Sequence, residues 1–121
     1  MKENVIVDKS FLFAIKVVKL YQQLTADKKE FVLSKQLLRS GTSIGANVEE
    51  AVGGSSRRDF IAKMQIAYKE SRESRYWLKL MHATDYVNTA QFQSFNNDLE
   101  EIIKILVSIL NSSKNDDSIK N

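Results

Sequence analysis

Apolar and small residues recur along this chain at alternating spacings of three and four. One set is Phe31, Ser34, Leu38, Gly41, Gly45, Val48 and Val52; a second is Phe60, Met64, Ala67, Ser71, Ser74, Leu78 and Met81; a third is Phe92, Phe95, Leu99, Ile102, Leu106 and Ile109. That period puts each set on one face of an α-helix. Asp27-Lys28-Lys29-Glu30, Ser56-Arg57-Arg58-Asp59 and Asn88-Thr89-Ala90-Gln91 each set a capping residue three positions before an acid or amide, the spacing of a capping box. Gly53-Gly54-Ser55 separates the second helix from the third. The pattern predicts helices over about 8–25, 28–52, 57–84 and 89–111, followed by a polar, frayed tail at 112–121. Proline is absent, so nothing forces an interruption. Short connections make successive helices antiparallel, and seams of this spacing cross at about 20°. The expected fold is all-α, a single-domain, antiparallel up-down-up-down four-helix bundle.

Two glycines four apart inside the second helix refine this picture. Each costs a helix roughly 1 kcal/mol relative to alanine, so the pair Gly41 and Gly45 predicts a close approach by a neighbouring helix. Ala67, Ser71 and Ser74 are the small residues expected opposite them, which would draw the second and third helices together.

With 121 residues the chain is long enough for one core that removes about two-thirds of its unfolded surface from water. Without cysteine it has no disulfides and no thiolate metal site. The N-terminal segment has too few apolar residues for a signal peptide, and no stretch approaches the roughly 20 apolar residues of a membrane span. A soluble, cytoplasmic protein is the expectation.

A second apolar stripe on the third helix, Ala62, Ile66, Trp77 and Leu80, is interrupted by Glu70 and Glu73. It serves either a wide core contact or a subunit interface. Self-association, with Ile66, Trp77 and Leu80 at the interface, is preferred because tryptophan favours such positions and monomers rarely leave these patches wet. Charge is also uneven: residues 1–81 carry 15 Lys and Arg against 9 Asp and Glu, a net +6, whereas residues 82–121 carry 3 against 6, a net −3. The excess gathers on the third helix, where Arg58, Lys69, Arg72 and Lys79 share a face flanked by Arg57, Lys63 and Arg75. An oligomer would repeat this strip as a polyanion site; the competing reading is a solvated face with intrahelical pairs such as Lys69 with Glu73. No aromatic-interleaved RNA-binding signature is visible in the linear sequence.

Catalytic and cofactor motifs are sparse. His82 is the sole histidine, and no Gly-x-Ser-x-Gly or Walker lysine accompanies it. Lys79, three before His82, removes the Glu-x-x-His pair of di-iron bundles. Neither a cofactor nor a metal is expected. Arg75 and His82, seven apart, do resemble the Arg-x6-His motif of helical HEPN ribonucleases, in which histidine would move a proton and arginine would stabilise phosphate charge. Tyr76 stands where that family usually has a polar residue.

A broader resemblance rests on two segments. Arg39-Ser40-Gly41-Thr42-Ser43-Ile44-Gly45-Ala46-Asn47-Val48-Glu49-Glu50 resembles the Arg-Ser…Ser-Ile…Asn-Ile-x-Glu signature of the small four-helix proteins encoded by intervening sequences in bacterial 23S rRNA genes. The segment from Ile66 to Leu78 resembles the same family's third-helix motif, and the likeness spans about residues 8–111. Ala51 replaces a usual glycine, which would extend the second helix into Gly53-Gly54. The resemblance implies a homopentamer and, through related accessory proteins of diversity-generating retroelements, a reverse-transcriptase or RNA partner. It implies no catalytic residues. It assigns Ser40, Ser43 and Asn47 as polar groups in a close helix contact spaced by Gly41 and Gly45. The expectation is a non-enzymatic binding protein using Arg58, Lys69, Arg72 and Lys79, then Arg57 and Arg75; a protein scaffold and a ribonuclease using Arg75 and His82 are the alternatives.

Overall fold

The computed structural model describes residues 2–54 and 56–120, with side chains described for 4–54 and 56–113. Four helices follow one another: α1 (Lys2–Asp27), α2 (Leu33–Val52), α3 (Arg57–Ala83) and α4 (Thr89–Lys120). Each packs against its neighbours in sequence, and α4 returns to α1, whereas among the described residues the backbones of the diagonal pairs stay apart. This is the expected antiparallel bundle. The outer helices are longer than expected. At the start, Ile6 continues the buried row Ser10, Phe13, Val17, Leu20 and Leu24, so its burial draws the first turns into α1. At the other end α4 runs past 111 to Lys120, where a frayed tail was expected; Met1, Ser55 and Asn121 lie outside the described residues.

The start of α2 is the main departure. Asp27 does not open a capping box but ends α1. Lys29 adopts a left-handed conformation with φ 52°, and the Glu30 amide donates to the Leu24 carbonyl six residues back, the closure of a Schellman-type turn. Glu30 then caps the next helix. Its carboxylate accepts from the amides of Val32 at 3.0 Å, Leu33 at 2.8 Å and Ser34 at 2.7 Å, so one side chain satisfies three otherwise orphaned donors. Burial alone would push this carboxyl up, but the amide hydrogen bonds from Leu33, Ser34 and Val32 prevail and hold it below the usual carboxylate range. The other two caps form as expected. Ser56 Oγ accepts from the Asp59 amide at 3.0 Å, and Asn88 and Gln91 exchange side-chain-to-amide bonds at 2.8 and 3.0 Å. Gly53 and Gly54 end α2 without positive φ. A Cβ on Gly54 would come within 2.7 Å of an Asp59 carboxylate oxygen and 3.2 Å of the Ala51 carbonyl, so a side chain there would require Asp59 to move.

The buried rows of α3 and α4 match the expected seams, apart from half-buried Phe60 and Phe92 at their starts. In α2 the expected Ser34, Gly41 and Val48 are buried together with Ser40, but Leu37, Ile44 and Ala51 take the places expected of Leu38, Gly45 and Val52, and Phe31 and Val52 are exposed. The glycines also face a different partner from the one expected. A Cβ on Gly41 would stand 2.8 Å from Val17 Cγ2, and one on Gly45 3.4 Å from the Ser10 carbonyl oxygen, so both admit α1 and not α3. Ser40 meets α3, accepting from Ser74 Oγ at 2.9 Å. Ser43, Asn47 and Ser71 donate back to carbonyls four residues earlier, at 2.6, 2.8 and 2.8 Å. No buried side-chain polar atom among the described residues lacks a partner.

Gly41→Ala should therefore destabilise by about 1–3 kcal/mol, because the β-branched Val17 cannot swing clear. Gly45→Ala should be neutral or stabilising by up to about 1 kcal/mol, its methyl being in ordinary contact while helix propensity improves. Urea unfolding of the two variants distinguishes these signs. For Glu30, a lowered folded-state pKa means stabilisation present above the ordinary carboxylate pKa and lost as pH falls through the folded value. Glu30→Gln should cost about 1 kcal/mol at pH 7. The gap should close toward pH 3, as read from melting temperatures across that range.

Candidate nucleic-acid interface

Helix α3 divides its charges between its two flanks. On the flank toward α2, Arg39 of α2 bonds both Glu70 and Glu73, and Glu73 also accepts from Trp77 Nε1 at 2.9 Å. Lys63 is drawn the same way, to Glu50 of α2 at 3.7 Å. The Lys69–Glu73 pair of the competing solvated-face reading does not form among the described residues, and Glu73 is engaged by Arg39 and Trp77. Toward α4 the situation is reversed. Arg72, Arg75 and Lys79 line a surface cavity of about 290 Å³ with Tyr68, Tyr76 and Ile103. Among the described residues none of these three cations has a carboxylate within ion-pair distance.

Each side chain has a definite support. Arg72 Nη1 donates to the Tyr68 hydroxyl at 3.2 Å, and its guanidinium lies 5.9 Å from that ring's centre. Arg75 Nε donates to Asn96 Oδ1 of α4 at 3.1 Å, and the Asn96 amide in turn reaches Glu100 at 3.4 Å. Tyr76 is 58% exposed and meets Trp77 edge-to-face at 5.1 Å. The helix period explains the grouping: positions 68, 72, 75, 76 and 79 fall on one side of α3.

The sequence-expected strip is thus only partly assembled. Arg72, Arg75 and Lys79 come together; Arg58 and Lys69 are exposed but do not line the cavity, and Arg57 donates to the Ser113 carbonyl of α4 at 3.1 Å. Tyr68 and Tyr76 were missed. A linear signature does not contain them, but their eight-residue separation around Arg72 is the signal that a helical projection exposes. His82 stacks on Phe92, with ring centres 4.7 Å apart and an interplanar angle of 8°, and shares a 3.1 Å hydrogen bond with Thr89. Arg75 is held instead by Asn96.

Apolar exposure is concentrated elsewhere than expected. Trp77 and Leu80 are half-buried and Ile66 is 39% exposed. The outer side of α1 presents Phe11 at 63%, Leu12 at 60%, and Ile15 and Val18 at just over a third. Phe11 borders a groove of about 220 Å³ with Val7, Ala14, Thr42, Gly45 and Ala46. No helix among the described residues is long and apolar enough to cross a membrane, and no group of three or more His, Asp or Glu side chains there could hold a metal ion.

Comparison with known proteins agrees with the architecture. The sequence profile of the 23S rRNA-intervening sequence protein family matches residues 2–108. A crystal structure of a protein of unknown function from the S23 ribosomal protein family of Bacteroides thetaiotaomicron superposes with a TM-score of 0.90 at 54% identity, covering 92% of this chain and 99% of that one. No match is found among curated proteins.

Proposed function

This chain belongs to the 23S rRNA-intervening sequence protein family, and we propose that it is a non-enzymatic, self-associating bundle that binds RNA or a ribonucleoprotein through the cationic side of α3. The observation that carries this reading is the cluster of Arg72, Arg75 and Lys79 around one cavity without a carboxylate partner among the described residues. Cations left unneutralised and partly held by Tyr68 and Asn96 lose less freedom on meeting phosphate than free surface lysines would. Binding is electrostatic, indifferent to sequence at the phosphates, and weakened by salt as counterions return. Arg58 and Lys69 extend the positive field along the same helix.

Self-association would repeat the cavity once per subunit, and the family resemblance sets five subunits as the expected assembly. The outer side of α1 supports the interface, because monomers rarely leave Phe11, Leu12, Ile15 and Val18 together in water. The stripe of Ile66, Trp77 and Leu80 offers a smaller surface, with the Trp77 indole already bonded to Glu73.

Charge reversal at Arg72 and Lys79 together should lower affinity for a structured RNA at least a hundredfold at low salt and leave the helical content and molar mass intact; unchanged binding would sink this reading. In sedimentation, Phe11→Glu combined with Ile15→Glu should yield a smaller species. If that variant keeps its mass while Trp77→Ala loses it, the interface lies on α3.

A further inference from the structure

Phosphate alone does not account for two tyrosines among the cations. A duplex presents backbone to a basic surface and keeps its bases stacked inside, so it has no use for an exposed aromatic ring. An unpaired strand has such a use. Its bases are free to stack on aromatic side chains while arginine and lysine follow the phosphates, the division of labour found in single-strand binding sites. The cavity on α3 has both parts. Tyr76 offers an exposed ring, and Arg72, four residues before it along the helix, and Lys79, three after it, flank that ring. Arg75 is fixed by Asn96 beneath them, and Ile103 of α4 supplies an apolar wall. At about 290 Å³ the cavity is at the small end for ligand sites, a size that matches a single nucleoside.

We propose that this cavity receives one unpaired nucleotide of a single strand, its base stacked on Tyr76 and its flanking phosphates held by Arg72 and Lys79. Arg75, already committed to Asn96, is the positioning cation at the cavity wall, and Tyr68 orients Arg72 through its hydroxyl. This inference rests on the polyanion reading above and adds to it a preference for unpaired segments, such as loops or strand ends. Repetition around an oligomer would then hold successive unpaired nucleotides of one strand.

The test is fluorescence anisotropy with a labelled 12-nucleotide RNA without secondary structure, a hairpin duplex of equal phosphate number, and a mononucleotide competitor. Proteins compared are the wild-type chain, Tyr76→Ala, Tyr76→Phe and the Arg72→Glu, Lys79→Glu double variant. Tyr76 is exposed, so its substitution leaves the core intact, which melting curves verify. The single strand should bind about tenfold more tightly than the hairpin. Tyr76→Ala should lose about tenfold on the single strand only, with an unchanged salt slope, and Tyr76→Phe should retain binding. The double charge variant should weaken both RNAs and flatten the salt slope. Equal affinity for the two RNAs together with no effect of Tyr76→Ala overturns the stacking proposal but leaves polyanion binding standing. A mononucleotide that binds as tightly as the strand also overturns it. Absence of binding to either RNA at low salt removes both readings.

Discussion

The bundle depends on the missing side chain at Gly41. Val17 occupies the space a methyl group would take, while at Gly45 the Ser10 carbonyl comes only to ordinary contact distance. That approach sets α1 against α2 along one row, Ile6, Ser10, Phe13, Val17, Leu20 and Leu24, and turns the opposite side outward. Because α1 can bury only one side, Phe11, Leu12, Ile15 and Val18 remain at the surface. The tie to α4 is more polar. Lys9 bonds Glu101, and Lys16 bonds Asp98 and Ser94 while lying 4.7 Å from the Phe95 ring centre. The Lys9–Glu101 hydrogen bond raises the lysine pKa and lowers that of the glutamate, yet at an exposed pair it adds little stability.

The position of Arg39 has the greatest consequence for the surface of α3. By bonding Glu70 and Glu73 it engages the two acids in the middle of that helix on the α2 side. An isolated helix of this sequence could neutralise part of its own charge through pairs three and four residues apart. Packed against α2 it does not, and the cations on the α4 side remain available to an outside anion. The arrangement therefore joins a packing contact to an electrostatic one.

At the two ends of the bundle, turn chemistry follows demands other than those a motif would suggest. Lys29 and Asp85 take the left-handed conformation that glycine favours, at a cost of roughly 1–2 kcal/mol each. Lys28 Nζ offsets part of this by donating to the Asp85 and Tyr86 carbonyls at 3.2 and 3.3 Å, which ties the α1–α2 turn to the α3–α4 turn. Gly53 and Gly54, in contrast, have negative φ.

Helix number, antiparallel order and the inner faces of α3 and α4 were legible in the sequence, because a 3.6-residue period and local caps such as Ser56 and Asn88 act within a few residues of chain. The presence of a close contact at Gly41 and Gly45 was also legible, as was the basic character of the third helix. Which helix fills the glycine groove was not, because a small residue states how near a neighbour can come and not which neighbour it is. For the same reason part of the α2 row was read one position off, at Leu37, Ile44 and Ala51: wedged between α1 and α3, the helix buries a wide arc in which several rows fit the period. The pairing of Glu73 with Arg39 instead of Lys69, and the closing of the α3 cluster of Tyr68, Arg72, Arg75, Tyr76 and Lys79 into a cavity by Ile103 of α4, were decided by tertiary structure. Charge and aromatic content are properties of the chain, but which charges are neutralised and which rings are exposed depends on the side chains that packing brings within a few ångströms.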